Sequence, residues 1–269
     1  MPRVRVGVDV GGTYTHAVAV DNQSLELLGE AKVPTTHRAA EGVAAGVIQS
    51  LQELLQSAKI NAADISFIAH STTQATNSLL EGDVVPPGVI GMGKGLEAGR
   101  AKGETALPPI EITPGKKIAP TNEFFDTGSG VDESKLKNIL ERVNPSTSSG
   151  RGGQGSRVIV VAEAFSTDDP TNENKVIALG KELGLAVTGT HEISEPYGLR
   201  ARTRTAVINA CMLPKMMDTA EKTENAVKQS GITAPLMVVR SDGGVMTTEE
   251  MKRRPILTML SGPAAGVAA

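Results

Sequence analysis

The sequence predicts a mixed α/β fold built on a mixed sheet, and three observations predict it. The first third reads as three strand-like runs, an amphipathic helix and a further apolar strand. Strands and helices then go on alternating, a pattern that fits helices packed on a sheet and not a plain β-sandwich. The chain has 269 residues, 39% hydrophobic and 21% charged, enough for one large or two modest cores.

The opening runs "RVRVGVDV", "HAVAVD" and "SLELLGEAKVP" are β-branched or alternating, and glycine or Asn-Gln-Ser turn chemistry separates them. They predict an antiparallel meander. "AAEGVAAGVIQSLQELLQSA" places Val43, Val47, Leu51, Leu54 and Leu55 on one helical face. "ISFIAH" is a short buried strand that delivers His70 and the polar string "STTQATN" to a loop or helix start. "PPGVIGMGKGLEAGR" and "RVIVVAEAFSTDDP" are strands ending in glycine-rich or polar turns. "TNENKVIALGKELG" is a helix capped by Thr171 or Asn172 and closed by Gly184. The low-complexity stretch 144–156, "NPSTSSGRGGQGS", reads as a flexible surface loop, with an active-site lid as the competing reading. The last third is largely helical, with a break or kink expected at Pro214. "PLMVVRSDGGVMT" then repeats the opening grammar of strand, aspartate and two glycines, and "TMLSGPAAGVAA" reads as the start of an apolar helix.

Composition narrows the function. A net charge of −3 with scattered basic residues gives no footprint for nucleic acid or an anionic membrane. Four Phe, two Tyr and no Trp leave little with which to stack bases. The single cysteine, Cys211 in "AVINACMLPKMM", reads as a small core residue. It has no partner for an internal disulfide, which fits a reducing compartment. With no signal core and no apolar run of membrane length, the expected location is the cytoplasm.

The chemistry starts at residues 6–21, "VGVDVGGTYTHAVAVD". A β-hairpin needs the glycines, but it does not need Asp9, Thr13 and Thr15 around them. Adjacent Gly11 and Gly12 let backbone N–H groups approach a polyphosphate, and a threonine hydroxyl adds a neutral donor. Asp9 would repel bare phosphate, so it fits a carboxylate that holds Mg²⁺, which uses one or two carboxylates plus phosphate oxygens. The nucleotide reading ranks ahead of the simple hairpin on that ground.

These residues resemble the first phosphate motif of the actin, sugar-kinase and heat-shock ATPase superfamily. Together with "AHSTTQATNSLLEG", "AFSTDDP", "RTRTAVINA" and "RSDGGVMTTEEMKRRPILTMLSGPAAGV", they resemble the ATP-dependent hydantoinase and oxoprolinase family from Val4 to the last residue. The resemblance implies a ribonuclease H-like fold, with an N-terminal domain over 1–190 and the beginning of a second, incomplete lobe over 191–269. It also implies ATP and Mg²⁺ as cofactors, opening of a hydantoin- or 5-oxoproline-type cyclic amide, and a second hydantoinase-type subunit as partner.

Carried onto this chain, Asp9, Gly11, Gly12, Thr13 and Thr15 would form the phosphate turn, with Asp9 as the metal ligand. Where relatives commonly have an acidic residue this chain has His16, which reads as a solvent-facing strand residue. His70 would transfer a proton near neutral pH, and Ser71, Thr72, Thr73, Thr76 and Asn77 would orient substrate. Helix capping by the hydroxyls is the competing reading. Arg240 would clamp an anion and Asp242 act as a base or a magnesium-linked carboxylate, with Gly243 and Gly244 allowing close backbone approach. A plain Asp-Gly turn is the alternative there. "SGPAAG", 261–266, reads equally as a cleft-side helix start or a packing element.

A small-molecule kinase, a carboxylase subunit and a non-enzymatic nucleotide-binding protein remain alternatives, because the opening motif is widely shared. A second Asp-Gly-Gly-Thr turn does not follow "SGPAAG", so these residues alone are expected not to hydrolyse ATP at an enzymatic rate.

Overall fold

The computed structural model describes residues 3–36, 39, 41–143 and 158–262. The stretch 144–156 and all but Ser261 and Gly262 of "SGPAAG" lie outside the described residues. In chain order the elements begin with β1 (Val4–Val10), β2 (Tyr14–Asp21), β3 (Leu27–Pro34), α1 (Ala44–Ser57), β4 (Ile65–Thr72), α2 (Gln74–Glu81) and β5 (Gly88–Gly93). They continue with α3 (Glu97–Thr105), β6 (Ile110–Thr113), β7 (Lys116–Ile118), β8 (Thr121–Asp126), α4 (Glu133–Arg142), β9 (Val158–Glu163) and α5 (Thr171–Glu182). After β10 (Ala186–Gly189) and α6 (Thr190–Ile193) come α7 (Leu199–Gln229), β11 (Leu236–Val239), β12 (Val245–Thr247) and α8 (Thr248–Arg253).

The chain folds into two compact units, Met1–Asn77 with Lys215–Ala269, and Ser78–Pro214. Compaction divides the chain at 77/78 and 214/215. Of the break or kink expected at Pro214, a break does not occur: α7 is continuous, with Pro214 inside it. Pro214 costs it one N–H donor, to the carbonyl of Ala210, but does not end it. At α5 the expected side-chain cap is also corrected: the N-cap is Pro170, and Asp169 Oδ1 accepts from Thr171 N at 3.1 Å. Gly184, at φ +70°, closes that helix as expected.

In the first unit the sheet order is β12-β11-β4-β1-β2-β3. β1 pairs antiparallel with β2 and parallel with β4, and β11 is parallel to β4. The expected meander is present, inside a mixed sheet. Period-two alternation buries Val4, Val6, Val8 and Val10 on one face, in register with Ala17 and Ala19 of β2 and Ile68 of β4. Val47, Leu51 and Leu54 of α1, and Ala226 and Val227 near the end of α7, join this core. Burial of each such side chain contributes roughly 1.5–3 kcal/mol. The other face of β1 carries Arg5 and Asp9, both exposed.

In the second unit four strands are all parallel, in the order β10-β9-β5-β8. β9, "VIVVAE", is buried throughout because helices cover both of its faces. Ile159 and Val161 pack with Leu136 and Leu140 of α4 and Val176 and Ile177 of α5. Ala162 packs on the other side with Ala101 of α3 and Leu199 of α7.

Helix α3 can lie this close because β5 is glycine-rich. A Cβ at Gly91 would stand 1.9 Å from Thr105 Oγ1 and 2.7 Å from its Cβ. Gly91→Ala is therefore expected to destabilise the protein by about 1–3 kcal/mol through overpacking. Urea unfolding checks this, and an alanine variant as stable as the parent would refute it.

Candidate functional site: a phosphate-turn edge in the first unit

Because β1, β4 and β11 are mutually parallel, their carboxyl ends share one edge of the sheet. That edge gathers the turn at 11–13 after β1, Thr73 after β4 and the turn at 240–244 after β11. Three motifs separated by up to about two hundred residues of chain are brought together by strand direction.

Asp9 lies in register between His16 on β2 and Ser71 on β4. Ser71 Oγ donates to Asp9 Oδ1, while Oδ2 takes no hydrogen bond from the described residues. Gly262 comes close as well, since a Cβ there would be 4.0 Å from Asp9 Oδ1. His16 faces the acid of the neighbouring strand and pairs through Nε2 with Glu30 Oε2 at 3.3 Å.

The turn is anchored from below and open above. Gly11 N donates to Tyr14 O at 3.0 Å. Thr35 holds it twice, donating from Oγ1 to Gly11 O at 2.9 Å and from N to Thr13 O at 2.9 Å. A Cβ at Gly12 would meet nothing within 4 Å, and Gly12 and Thr13 are exposed. No side chain therefore crowds the backbone at Gly12.

Two residues expected to face the ligand are corrected. Thr15 is fully buried, its Oγ1 3.2 Å from Thr35 Oγ1, because strand alternation turns residue 15 to the core face beside Val10. There it sits against Thr35, whose hydroxyl donates to the turn at Gly11 O. Thr72 is buried for the same reason, and its Oγ1 accepts from Gln74 N at 3.2 Å, a helix-start bond. Its carbonyl accepts from Ser261 Oγ at 3.3 Å. Thr73 donates from N and Oγ1 to Val10 O, both at 3.4 Å, and receives Asn77 Nδ2 at 3.3 Å. Thr76 Oγ1 accepts from Leu260 N at 3.2 Å.

His70 is a third correction. In register with Val8 and Val238, it sits on the core face, opposite the face that carries Asp9 and Ser71. It is 1% exposed and neither ring nitrogen has a partner. Burial pushes its pKa down to about 4, only partly opposed by the charge of Asp9. The imidazole is neutral at pH 7 and has little capacity for the proton transfer expected of it.

The "RSDGG" turn bonds largely within itself, while Arg240 Nε is buried without a hydrogen-bond partner among the described residues. Arg240 Nη2 pairs with Asp242 Oδ2 at 2.6 Å, and Asp242 Oδ1 accepts from Gly244 N at 3.0 Å. Gly243 sits at φ +83° and donates to Arg240 O at 3.1 Å, the left-handed geometry that favours glycine. Arg240 and Asp242 thus engage each other at the same edge as the opening turn.

The sequence reading missed Thr35. Its only signal was a hydroxyl pair, "TT", directly after the third strand. Among the described residues no group of three or more His, Cys, Asp or Glu side chains could hold a metal ion. Mg²⁺ does not need one, since a single carboxylate with phosphate oxygens and water suffices, and the unheld Oδ2 of exposed Asp9 fits that donor set. No helix among the described residues is long and apolar enough to cross a membrane.

The chain is similar in sequence to several known proteins. The chain is 28% identical over 283 residues to an uncharacterised protein of Methanocaldococcus jannaschii, covering 98% of this chain and 39% of that protein. It is 24% identical to the caprolactamase subunit alpha of Pseudomonas jessenii, covering 97% of this chain and 38% of that one. It is 27% identical to the acetophenone carboxylase gamma subunit of Aromatoleum aromaticum, with coverage of 97% and 38%. The chain thus spans under two fifths of the length of these relatives.

Two solved structures share the fold. An ATP-dependent acetone carboxylase in its nucleotide-free form matches with a TM-score of 0.69 at 19% identity, over 99% of this chain and 40% of that one. The ATP-dependent caprolactamase of Pseudomonas jessenii matches with a TM-score of 0.65 at 20% identity, over 97% and 39%. Residues 5–184 match the model of the hydantoinase/oxoprolinase N-terminal region and residues 202–269 that of hydantoinase/oxoprolinase, so the chain belongs to the hydantoinase/oxoprolinase family.

Proposed function

We propose that the chain forms the phosphate-holding part of an ATP-dependent enzyme that opens a cyclic amide of the hydantoin or 5-oxoproline type. The observation that carries this reading is Asp9, side by side with Ser71 and with one free carboxylate oxygen, at the foot of an open glycine turn. In this reading Ser71 fixes the Asp9 carboxylate and the free oxygen holds Mg²⁺. The turn at 11–13 presents the Thr13 hydroxyl to phosphate and, at Gly12, a backbone with no side chain in the way. Thr35 and Thr15 keep the turn rigid, so it needs little reorganisation on binding. Arg240 is paired with exposed Asp242, an interaction worth at most about 1 kcal/mol, and so can exchange to a phosphate oxygen. Thr73, Thr76 and Asn77 line the start of α2 beside this edge. When bound, ATP supplies a phosphoryl group that makes an inert amide carbon open to attack by water.

Membership of the family supports the reading, as does similarity to a caprolactamase subunit. A carboxylase subunit is the second reading, favoured by similarity to the acetophenone carboxylase gamma subunit. The names of these relatives as subunits support a second chain as partner. The test is ADP release by the full-length gene product, with any co-purifying subunit, across a panel of cyclic amides with and without bicarbonate. Release stimulated by an amide alone is the expected result. A requirement for bicarbonate would favour the carboxylase, and absence of both nucleotide binding and stimulation would overturn both readings.

A further inference from the structure

The second unit carries a polar centre that the phosphate edge does not use. Its parallel sheet reverses direction between β5 and β9: from β5 the chain moves to β8 on one side, then crosses to β9 on the other. At such a reversal the loops leaving the strand ends part and open a crevice. Here they are the glycine loop at 93–96 and the segment at 164–170.

Glu163, the last residue of β9, is only 8% exposed. Its Oε1 accepts from Thr127 Oγ1 at 3.1 Å and Asn172 Nδ2 at 3.0 Å, while Oε2 takes no hydrogen bond from the described residues. Its backbone is held equally firmly. Glu163 N donates to Glu173 Oε1 at 2.8 Å, and its carbonyl accepts from Arg202 Nη2 at 2.8 Å. Arg202 is fully buried and also binds the carbonyls of Pro196 and Tyr197. A carboxylate locked through one oxygen and left open at the other is a preorganised acceptor, and leaving it unmet is unfavourable. Burial raises its pKa, with the bonds from Asn172 and Thr127 opposing.

Two neighbours complete the chemistry. Lys94, exposed on the glycine loop, acts electrostatically on both Glu163 and Asp169 and forms no ion pair with the described residues. Phe165, two residues beyond Glu163, holds φ +61° and is 59% exposed, a strained backbone of the kind that recurs at ligand sites.

We propose that the crevice between the ends of β5 and β9 binds a small ring amide. Its N–H is donated to Glu163 Oε2, its carbonyl accepts from Lys94, and its ring carbons rest against Phe165. A ring holds the amide cis, so N–H and C=O lie on one edge and match an acceptor and a donor side by side. The choice of a ring amide over other donor–acceptor ligands rests on the proposed function.

The test is saturable binding to the full chain, without nucleotide, of ε-caprolactam, hydantoin and 5-oxoproline, followed by ligand-observed NMR and calorimetry. At least one probe is expected to bind. N-methyl-ε-caprolactam, which has no N–H, is expected to bind at least tenfold more weakly than ε-caprolactam. Glu163→Gln keeps the bonds from Thr127 and Asn172 through its amide oxygen but turns the open acceptor into a donor, and should weaken binding at least tenfold. Lys94→Met should weaken it several-fold. Failure of all three probes, equal binding of the N-methylated lactam, or unchanged binding by Glu163→Gln would overturn the proposal. The N-methylated probe needs no variant, so it decides even if Glu163→Gln folds poorly. In the unaltered protein, lactam binding without nucleotide binding would count against the phosphate edge alone, and nucleotide binding without lactam binding against this crevice alone.

Discussion

Asp9→Asn is expected to weaken binding of Mg-ATP on the order of 100-fold, about 2.7 kcal/mol, while changing binding of metal-free nucleotide only a few-fold. Asparagine is isosteric and still accepts the Ser71 hydroxyl bond through its amide oxygen. What it loses is the charge on the free oxygen, and a hard divalent cation is held by that charge together with phosphate oxygens. Metal-free ATP meets the turn at 11–13 and the Thr13 hydroxyl, and removing a nearby negative charge does not weaken those contacts. Titration of nucleotide with Mg²⁺ and with EDTA separates the two. Equal losses under both conditions would refute the role given to Asp9.

The second large effect is a pH dependence of stability centred on His70. Burial holds its folded-state pKa at about 4 against an ordinary 6.5. Between those values the unfolded chain binds a proton at this site that the folded chain does not. Stability therefore falls as pH falls from about 6.5 towards 4, by about 3 kcal/mol in all. Above pH 6.5 the site contributes no slope. Urea unfolding at a series of pH values should show this loss, superimposed on that from other groups. His70→Leu should remove its share and should be no less stable than the parent at pH 5, because two unpartnered buried nitrogens are replaced by an apolar group beside Val8 and Val238. An unchanged pH slope in His70→Leu would disprove the assignment.

The placement of His70 also shows what local sequence cannot convey. "AHSTT" reads as one polar cluster, and a histidine beside four hydroxyl and apolar neighbours looks like part of it. In a strand, alternate residues face opposite ways, so Ser71 goes to Asp9 while His70 and Thr72 go to the core. Which set meets the core depends on the register of β4 against β1, a pairing across about sixty residues that no local signal encodes. Thr15 was misjudged for the same reason: it looks like part of the glycine turn but lies in strand β2, in register with buried Val10. Arg240 and Asp242 look like two separate functional groups in sequence, and the Asp-Gly turn folds one onto the other.

The sequence by itself determined the local elements and their chemistry. Alternation specified β1, β2 and β3, helical periodicity specified α1, and the glycine pair at 11–12 specified a turn between the first two strands. Those features depend on residues a few positions apart, whose preferences are set by sterics and solvent exposure. Only the tertiary structure decided that β1, β4 and β11 run parallel, that Ser71 rather than His70 reaches Asp9, and that Thr35 holds the turn from the third strand. It also decided that "AFSTDDP" begins at a sheet reversal, with Glu163 held by Thr127 and Asn172. Each of these is a contact between distant segments, selected by which apolar faces can be buried together, and that selection is made by the whole chain and not by any stretch of it.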